Sequence, residues 1–141
     1  MATYSHSTTT KAAPERVWRL WSDPATWPSW NPDVLSVDIA GPFRSGAAGT
    51  MQTKAGGRHS ITLESVEPGR SFLLVSTAIP GTRFAFRCEV VPDGVGSTIS
   101  QSVTMRGPLG GLAGAMMGKR VAEGFGPILA GLRDAAEAAD R

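Results

Sequence analysis

Apolar and polar residues alternate with a period of two through the middle of the chain and give way to a helical period near both ends. Thr3 to Thr10 is threonine-rich and reads as an edge strand. Val34 to Ala40 places Val37 and Ile39 on one face, and Gly41-Pro42 closes it with a turn. The stretches Gly49 to Lys54 and Arg58 to Val66 flank the turn at Ala55-Gly56-Gly57, and Glu67-Pro68-Gly69-Arg70 connects into Ser71 to Thr77. Pro80-Gly81 turns into Thr82 to Val91, and the run from Pro92 to Gly96 turns into Ser97 to Met105. These short connections predict an antiparallel meander.

Alternation also assigns faces. Phe84, Phe86, Cys88 and Val90 fall inward on one strand, and Ile99, Gln101, Val103 and Met105 on the next. Met51 and Thr53 share a face, as do His59, Ile61 and Leu63, while Arg83, Arg87 and Glu89 point to solvent. The inward groups that are polar or soft are Thr53, His59, Cys88 and Gln101.

Two helical patterns bracket the strands. Pro14 suits a first helical turn, and Val17, Leu20 and Trp21 follow at the spacing of one apolar helix face until Asp23-Pro24 stops it. Pro28 and Pro32 then restrict the next segment to a short second helix or turn. All four tryptophans, Trp18, Trp21, Trp27 and Trp30, lie in this region. Trp18 and Trp21 read as core, whereas Trp27 and Trp30 read equally as core or as the rim of a pocket. At the other end Val121, Phe125, Leu129, Leu132, Ala136 and Ala139 repeat at helical spacing, opposite Arg133, Asp134, Glu137 and Asp140. This helix packs on the sheet, and Gly124, Gly126 and Pro127 kink it or divide it into two pieces.

The 141 residues are 41% apolar and 18% charged, which fits one globular domain spanning 1–141. The formal charge is only +2 and the basic residues are scattered, so nucleic acid is not an expected partner. The N-terminus lacks the pattern of a secretory signal, and the apolar tract from Leu109 to Met117 is too short and glycine-broken to cross a bilayer. One cysteine, Cys88, fits a reducing compartment, and the expected location is the cytoplasm. Two histidines and one cysteine make a poor ligand set, and no metal or other cofactor is expected. The glycine-rich stretch 107–118, with Met116 and Met117, has neither a dinucleotide nor a P-loop spacing and reads as an apolar lid. It reads alternatively as a contact between two copies of the chain, a homodimer.

The segment A-P-E-R-V-W-R-L-W-S-D-P with W-P-S-W-N-P-D, then G-P-F-R-S-G-A-A-G-T-M, V-E-P-G-R-S-F and G-S-T-I-S-Q-S-V-T-M-R-G-P-L-G together cover most of the chain. In these residues, and in the order strand, two short helices, six strands, long helix, the sequence resembles the START-like or SRPBCC superfamily, closest to its polyketide cyclase/dehydrase-like members. The resemblance implies an α+β helix-grip fold, a curved sheet of about seven antiparallel strands around a C-terminal helix. It also implies a cavity between that helix and the concave face, entered beside the second short helix, with Trp27 and Trp30 near the mouth.

The lining would then be Met51, Ile61, Phe84, Phe86, Val103 and Met105 from the sheet, with Cys88 among them and Phe125 and Leu129 from the helix. Thr53, His59 and Gln101 would be its polar handles. Three functions fit such a site. The first is binding or carrying a small hydrophobic molecule such as a lipid, polyketide or aromatic metabolite. The second is a polyketide cyclase, aromatase or dehydratase, with His59 transferring protons while Gln101 and Thr53 orient an oxygen. Family enzymes of this kind commonly place an arginine or tyrosine in the cavity, whereas this chain has only Tyr4 and its strand arginines read outward. The third is a protein interaction module with a filled pocket, in which exposed Trp27, Trp30 and the 107–118 stretch form an apolar patch. Asp33 reads as a turn residue or as a general base at the entrance.

Overall fold

The computed structural model describes residues 2–54, 57–77, 82–106 and 122–138. Strand β1 (Ala2–Thr10) leads into helix α1 (Pro14–Trp21), a single 3-10 turn (Pro24–Thr26) and the one-turn helix α2 (Trp27–Trp30). Then come β2 (Val34–Ile39), β3 (Ala48–Thr53), β4 (Gly57–Glu67), β5 (Ser71–Ser76), β6 (Arg83–Asp93), β7 (Gly96–Arg106) and helix α3 (Phe125–Ala138). The strands form one seven-stranded sheet in the order β1-β7-β6-β5-β4-β3-β2, antiparallel throughout. The meander is closed at one edge by the N-terminal strand, and this is the helix-grip fold.

Register follows the alternation. Phe84, Cys88 and Val90 on β6 and Ile99, Val103 and Met105 on β7 are buried, whereas Arg87 is exposed. Two irregularities bend the sheet. The β2–β3 register shifts between Val34 and Ser36, and the β4–β5 register shifts between Glu64 and Glu67, where Ser65 takes a left-handed φ of 48°. An extra residue at such a bulge turns the strand and raises its twist, which curves the inner face. On the outer face the Arg83 guanidinium donates to Glu64 Oε1 at 2.7 Å, tying β6 to β4 across β5, on the side where Val75 is buried.

Helix α3 lies across the inner face, with Phe125, Ile128, Leu129, Leu132 and Ala136 buried against the core. The backbone at Gly124 forms a turn between helical residues 122–123 and α3, so the expected division falls at this glycine. Pro127 sits in the first turn of α3, where its missing N–H has no helical partner to lose. At its far end the Thr10 hydroxyl donates to Glu137 Oε2 at 2.8 Å, and the Lys11 N–H does so at 3.2 Å. These bonds hold the Glu137 carboxyl below its ordinary value, the Thr10 hydroxyl contributing most. Midway, a Cβ on Gly131 would overlap the carbonyl oxygen of Trp30, so α3 passes directly against the end of α2.

Among the described residues no helix is long and apolar enough to cross a membrane, and no group of three or more His, Cys, Asp or Glu could hold a metal ion. Val121, Ala139 and Asp140, and the 107–118 stretch with Met116 and Met117, lie outside the described residues.

Candidate functional site

The aromatic segment is built by a chain of local hydrogen bonds. Helix α1 ends where the Ser22 N–H reaches the Trp18 carbonyl at 2.8 Å, and the Thr26 hydroxyl donates to the Leu20 carbonyl at 3.0 Å. The same hydroxyl accepts the Trp30 indole N–H at 3.2 Å, and the Trp27 indole N–H donates to the Trp21 carbonyl at 3.0 Å. Both rings are buried, at 4% and 7% exposure, so neither belongs to an exposed apolar patch. Trp27 stacks on Phe72 with centroids 6.3 Å apart, and Trp21 meets the same phenylalanine edge-on at 5.5 Å. Phe43, 5.1 Å from Phe72, completes a cluster that fastens α1 and α2 to the sheet. The third sequence expectation, a partner-binding patch anchored by Trp27 and Trp30, is therefore corrected: their rings pack against the core and satisfy their own N–H groups.

The inner face divides into packed and open positions. Ile61, Phe84, Val103, Met105, Phe125 and Leu129 are buried, whereas Met51, His59, Phe86 and Gln101 face the same way yet stay half-buried. Phe86 stacks near Phe84 and meets Phe125 of α3 edge-on, each with centroids 6.4 Å apart. Cys88 is buried, and burial pushes its thiol up to about 12, so it acts as an apolar neighbour rather than a thiolate. Among the described residues, no inward strand position carries Asp, Glu, Lys or Arg.

Thr53 and His59 meet at the end of this face nearest α2. Met51 is the register partner of His59, and Thr53 Oγ1 lies 3.4 Å from His59 Nε2. Gln101 is elsewhere. It pairs with Cys88, Cys88 pairs with Phe72, and the neighbouring Leu73 pairs with Glu64, five residues along β4 from His59. That is three strands away and, at about 3.3 Å per residue, roughly 20 Å along the strand direction. The grouping of His59, Gln101 and Thr53 around one reacting oxygen is thus corrected, because register separates the glutamine from the other two. Gln101 instead stands opposite His6 on β1, a histidine to which the sequence pattern assigned no role. A Cβ on Gly126 would stand 3.8 Å from His6 Nε2, so the start of α3 lies beside this pair. Asp33 serves the turn through its backbone, its N–H donating to Asn31 Oδ1 at 3.0 Å and its carbonyl accepting the Lys54 N–H at 2.9 Å.

The sequence pattern starts a strand at Thr82 but gives it no face and no role. Two residues before Phe84, it falls on the inward side by the alternation of β6, is 5% exposed, and its hydroxyl has no hydrogen-bond partner among the described residues. Extending the alternation of Phe84, Phe86 and Cys88 back by one step finds it. Two recesses lined by described residues lie away from the inner face. One of about 500 Å³ lies on the outer face among Ser5, Ser7, Arg87, Glu89, Ser100 and Ser102 and reaches His6 on the edge strand β1, and one of about 350 Å³ lies between Pro24, Val37, Asp38 and Phe43.

The family model for polyketide cyclase / dehydrase and lipid transport matches residues 1–137. The chain belongs to this family. Among solved structures, XoxI from Bacillus cereus superposes with a TM-score of 0.80 at 17% identity, covering 100% of this chain and 99% of that one. TTHA0849 from Thermus thermophilus gives 0.77 at 20% identity, covering 99% of both chains. A norcoclaurine synthase from Thalictrum flavum, a point mutant in complex with a transition-state analogue, gives 0.73 at 13% identity, covering 99% of this chain and 96% of that one. At such identities the likeness carries the fold alone. No curated protein matches the chain. These residues make a domain of this family whose inner face, at its described strand positions, is mostly apolar and carries no Asp, Glu, Lys or Arg.

Proposed function

We propose that this domain binds a small, neutral, hydrophobic molecule between α3 and the inner face of the sheet, near Met51, Thr53 and His59. The observation that carries the reading is that Met51, His59, Phe86 and Gln101 point inward yet stay half-buried. Packed cores leave few such gaps, whereas ligand sites combine apolar walls with a few polar groups. The absence of Asp, Glu, Lys and Arg from the strand positions of that face, among the described residues, favours a neutral guest, since a buried unpaired charge would go unsolvated. The family description, which includes lipid transport, supports the same reading.

Native mass spectrometry of the purified chain tests it. The expected result is a co-purified small molecule that is lost on denaturation, or, for an emptied preparation, saturable uptake of naphthalene read by tryptophan emission. A chain that carries nothing and takes up nothing contradicts the proposal.

A second reading is a cyclase or dehydratase at the same site, favoured by the 3.4 Å approach of Thr53 Oγ1 to His59 Nε2. His59 would move a proton to or from the ligand while Thr53 orients its oxygen. With a transformed compound in hand, His59→Ala should cut turnover far more than binding; equal losses in both would argue for recognition alone.

A further inference from the structure

We infer that Thr82 is a specificity residue of the cavity, its hydroxyl receiving an oxygen at one end of a neutral aromatic or polyketone ligand whose other end is met by His59. The inference rests on the cavity reading above and adds the chemistry of the guest. Buried polar groups in folded proteins are almost always hydrogen-bonded, and an exception calls for a missing partner. Thr82 is such an exception: it is 5% exposed and its hydroxyl is unpaired among the described residues.

Its position gives the exception meaning. Ile61 and Phe84 both pair with Ser76, and His59 and Thr82 lie two residues beyond them in the same direction. The two side chains therefore occupy one level of the inner face on strands two apart, which puts their backbones about 10 Å from each other. Both point into the same space, so their polar atoms suit two oxygens separated by a fused two-ring body. Met51, beside His59, and Phe84, beside Thr82, supply apolar contact for that body. A threonine hydroxyl donates and accepts, and the imidazole ring nitrogens can meet either kind of oxygen, so carbonyl and hydroxyl oxygens are both suitable.

The test compares naphthalene with a naphthalene diol carrying one hydroxyl on each ring, using wild type, Thr82→Val and Thr82→Ser. Wild type should bind the diol more tightly than naphthalene. Thr82→Val keeps the shape without the hydroxyl, and should weaken the diol about tenfold while leaving naphthalene unchanged. Thr82→Ser should retain diol binding. The thermal midpoint of Thr82→Val should equal or exceed that of wild type, because the substitution removes an unpaired buried hydroxyl. Diol affinity that is the same in Thr82→Val and wild type overturns the role of Thr82 while leaving the cavity reading intact. A Thr82→Val chain that melts lower or fails to fold shows a hydroxyl that already has a partner, and overturns the inference. Failure of wild type to bind either compound refutes the cavity reading itself and this ligand class with it.

Discussion

Gly131 is the position where the grip of α3 is most exposed to test. A Cβ there would overlap the Trp30 carbonyl oxygen and stand 3.1 Å from its carbonyl carbon, and these are backbone atoms that cannot rotate away. Gly131→Ala gains about 1 kcal/mol of helix propensity. Against this, forcing extra atoms into a packed contact costs about 1–3 kcal/mol, and overlap with backbone belongs at the upper end. The expected net loss is about 1–2 kcal/mol, or roughly 3–8 °C in Tm for a domain of this size. Gly126 on the same helix is the control, since a Cβ there meets nothing closer than His6 Nε2 at 3.8 Å. Gly126→Ala should be neutral or stabilising by a few tenths of a kcal/mol, muted by its place in the first turn. Thermal and urea denaturation of both variants, followed by circular dichroism, decides. If Gly131→Ala melts at or above wild type, α3 does not rest on the end of α2, and the packing that frames the inner face is wrong.

Other outcomes follow from single contacts. Trp27→Phe removes the indole N–H that donates to the Trp21 carbonyl and leaves a smaller ring beside Phe72, so chemical denaturation should show a loss of about 1–3 kcal/mol. Cys88 is buried with its thiol pushed up to about 12, so a maleimide at pH 8 should label it only under denaturing conditions; prompt labelling of the folded chain would contradict its placement. Glu137 has a folded value below the ordinary 4.5, so its stabilising contribution is full above that value and is lost as the pH falls through the folded one. The Tm gap between wild type and Glu137→Gln should therefore be open at neutral pH and close on acidification below 4.5.

Much of this fold is written in the period-two alternation of β6 and β7, where Phe84, Cys88, Val103 and Met105 all face the core as the pattern requires. The C-terminal helix was equally legible through Phe125, Leu129, Leu132 and Ala136. Strand ends moved by a residue or two, as hydrogen-bonded ladders outrun their apolar residues. What alternation cannot supply is level. It told that His59 and Gln101 share a face, but their separation depends on hairpin lengths and on the bulge around Ser65, a residue with nothing in its type to announce a positive φ. His6 was missed for a related reason, since its pairing with Gln101 joins residues from opposite ends of the chain. Trp27 and Trp30 stayed ambiguous because Pro28 and Pro32 fix the backbone without saying where the rings go. Phe72 and Phe43, distant in sequence, decide that.

Ligand binding here requires a guest-sized space on the inner face, and methionine-methyl NMR of the chain titrated with naphthalene probes it directly. Met51 is half-buried beside His59, and Met105 is fully buried beside Phe84. Saturable shifts of both methyl signals, at a common apparent Kd, are the predicted result. Unmoved Met51 and Met105 signals at naphthalene saturation would mean that the sheet and α3 enclose no such space.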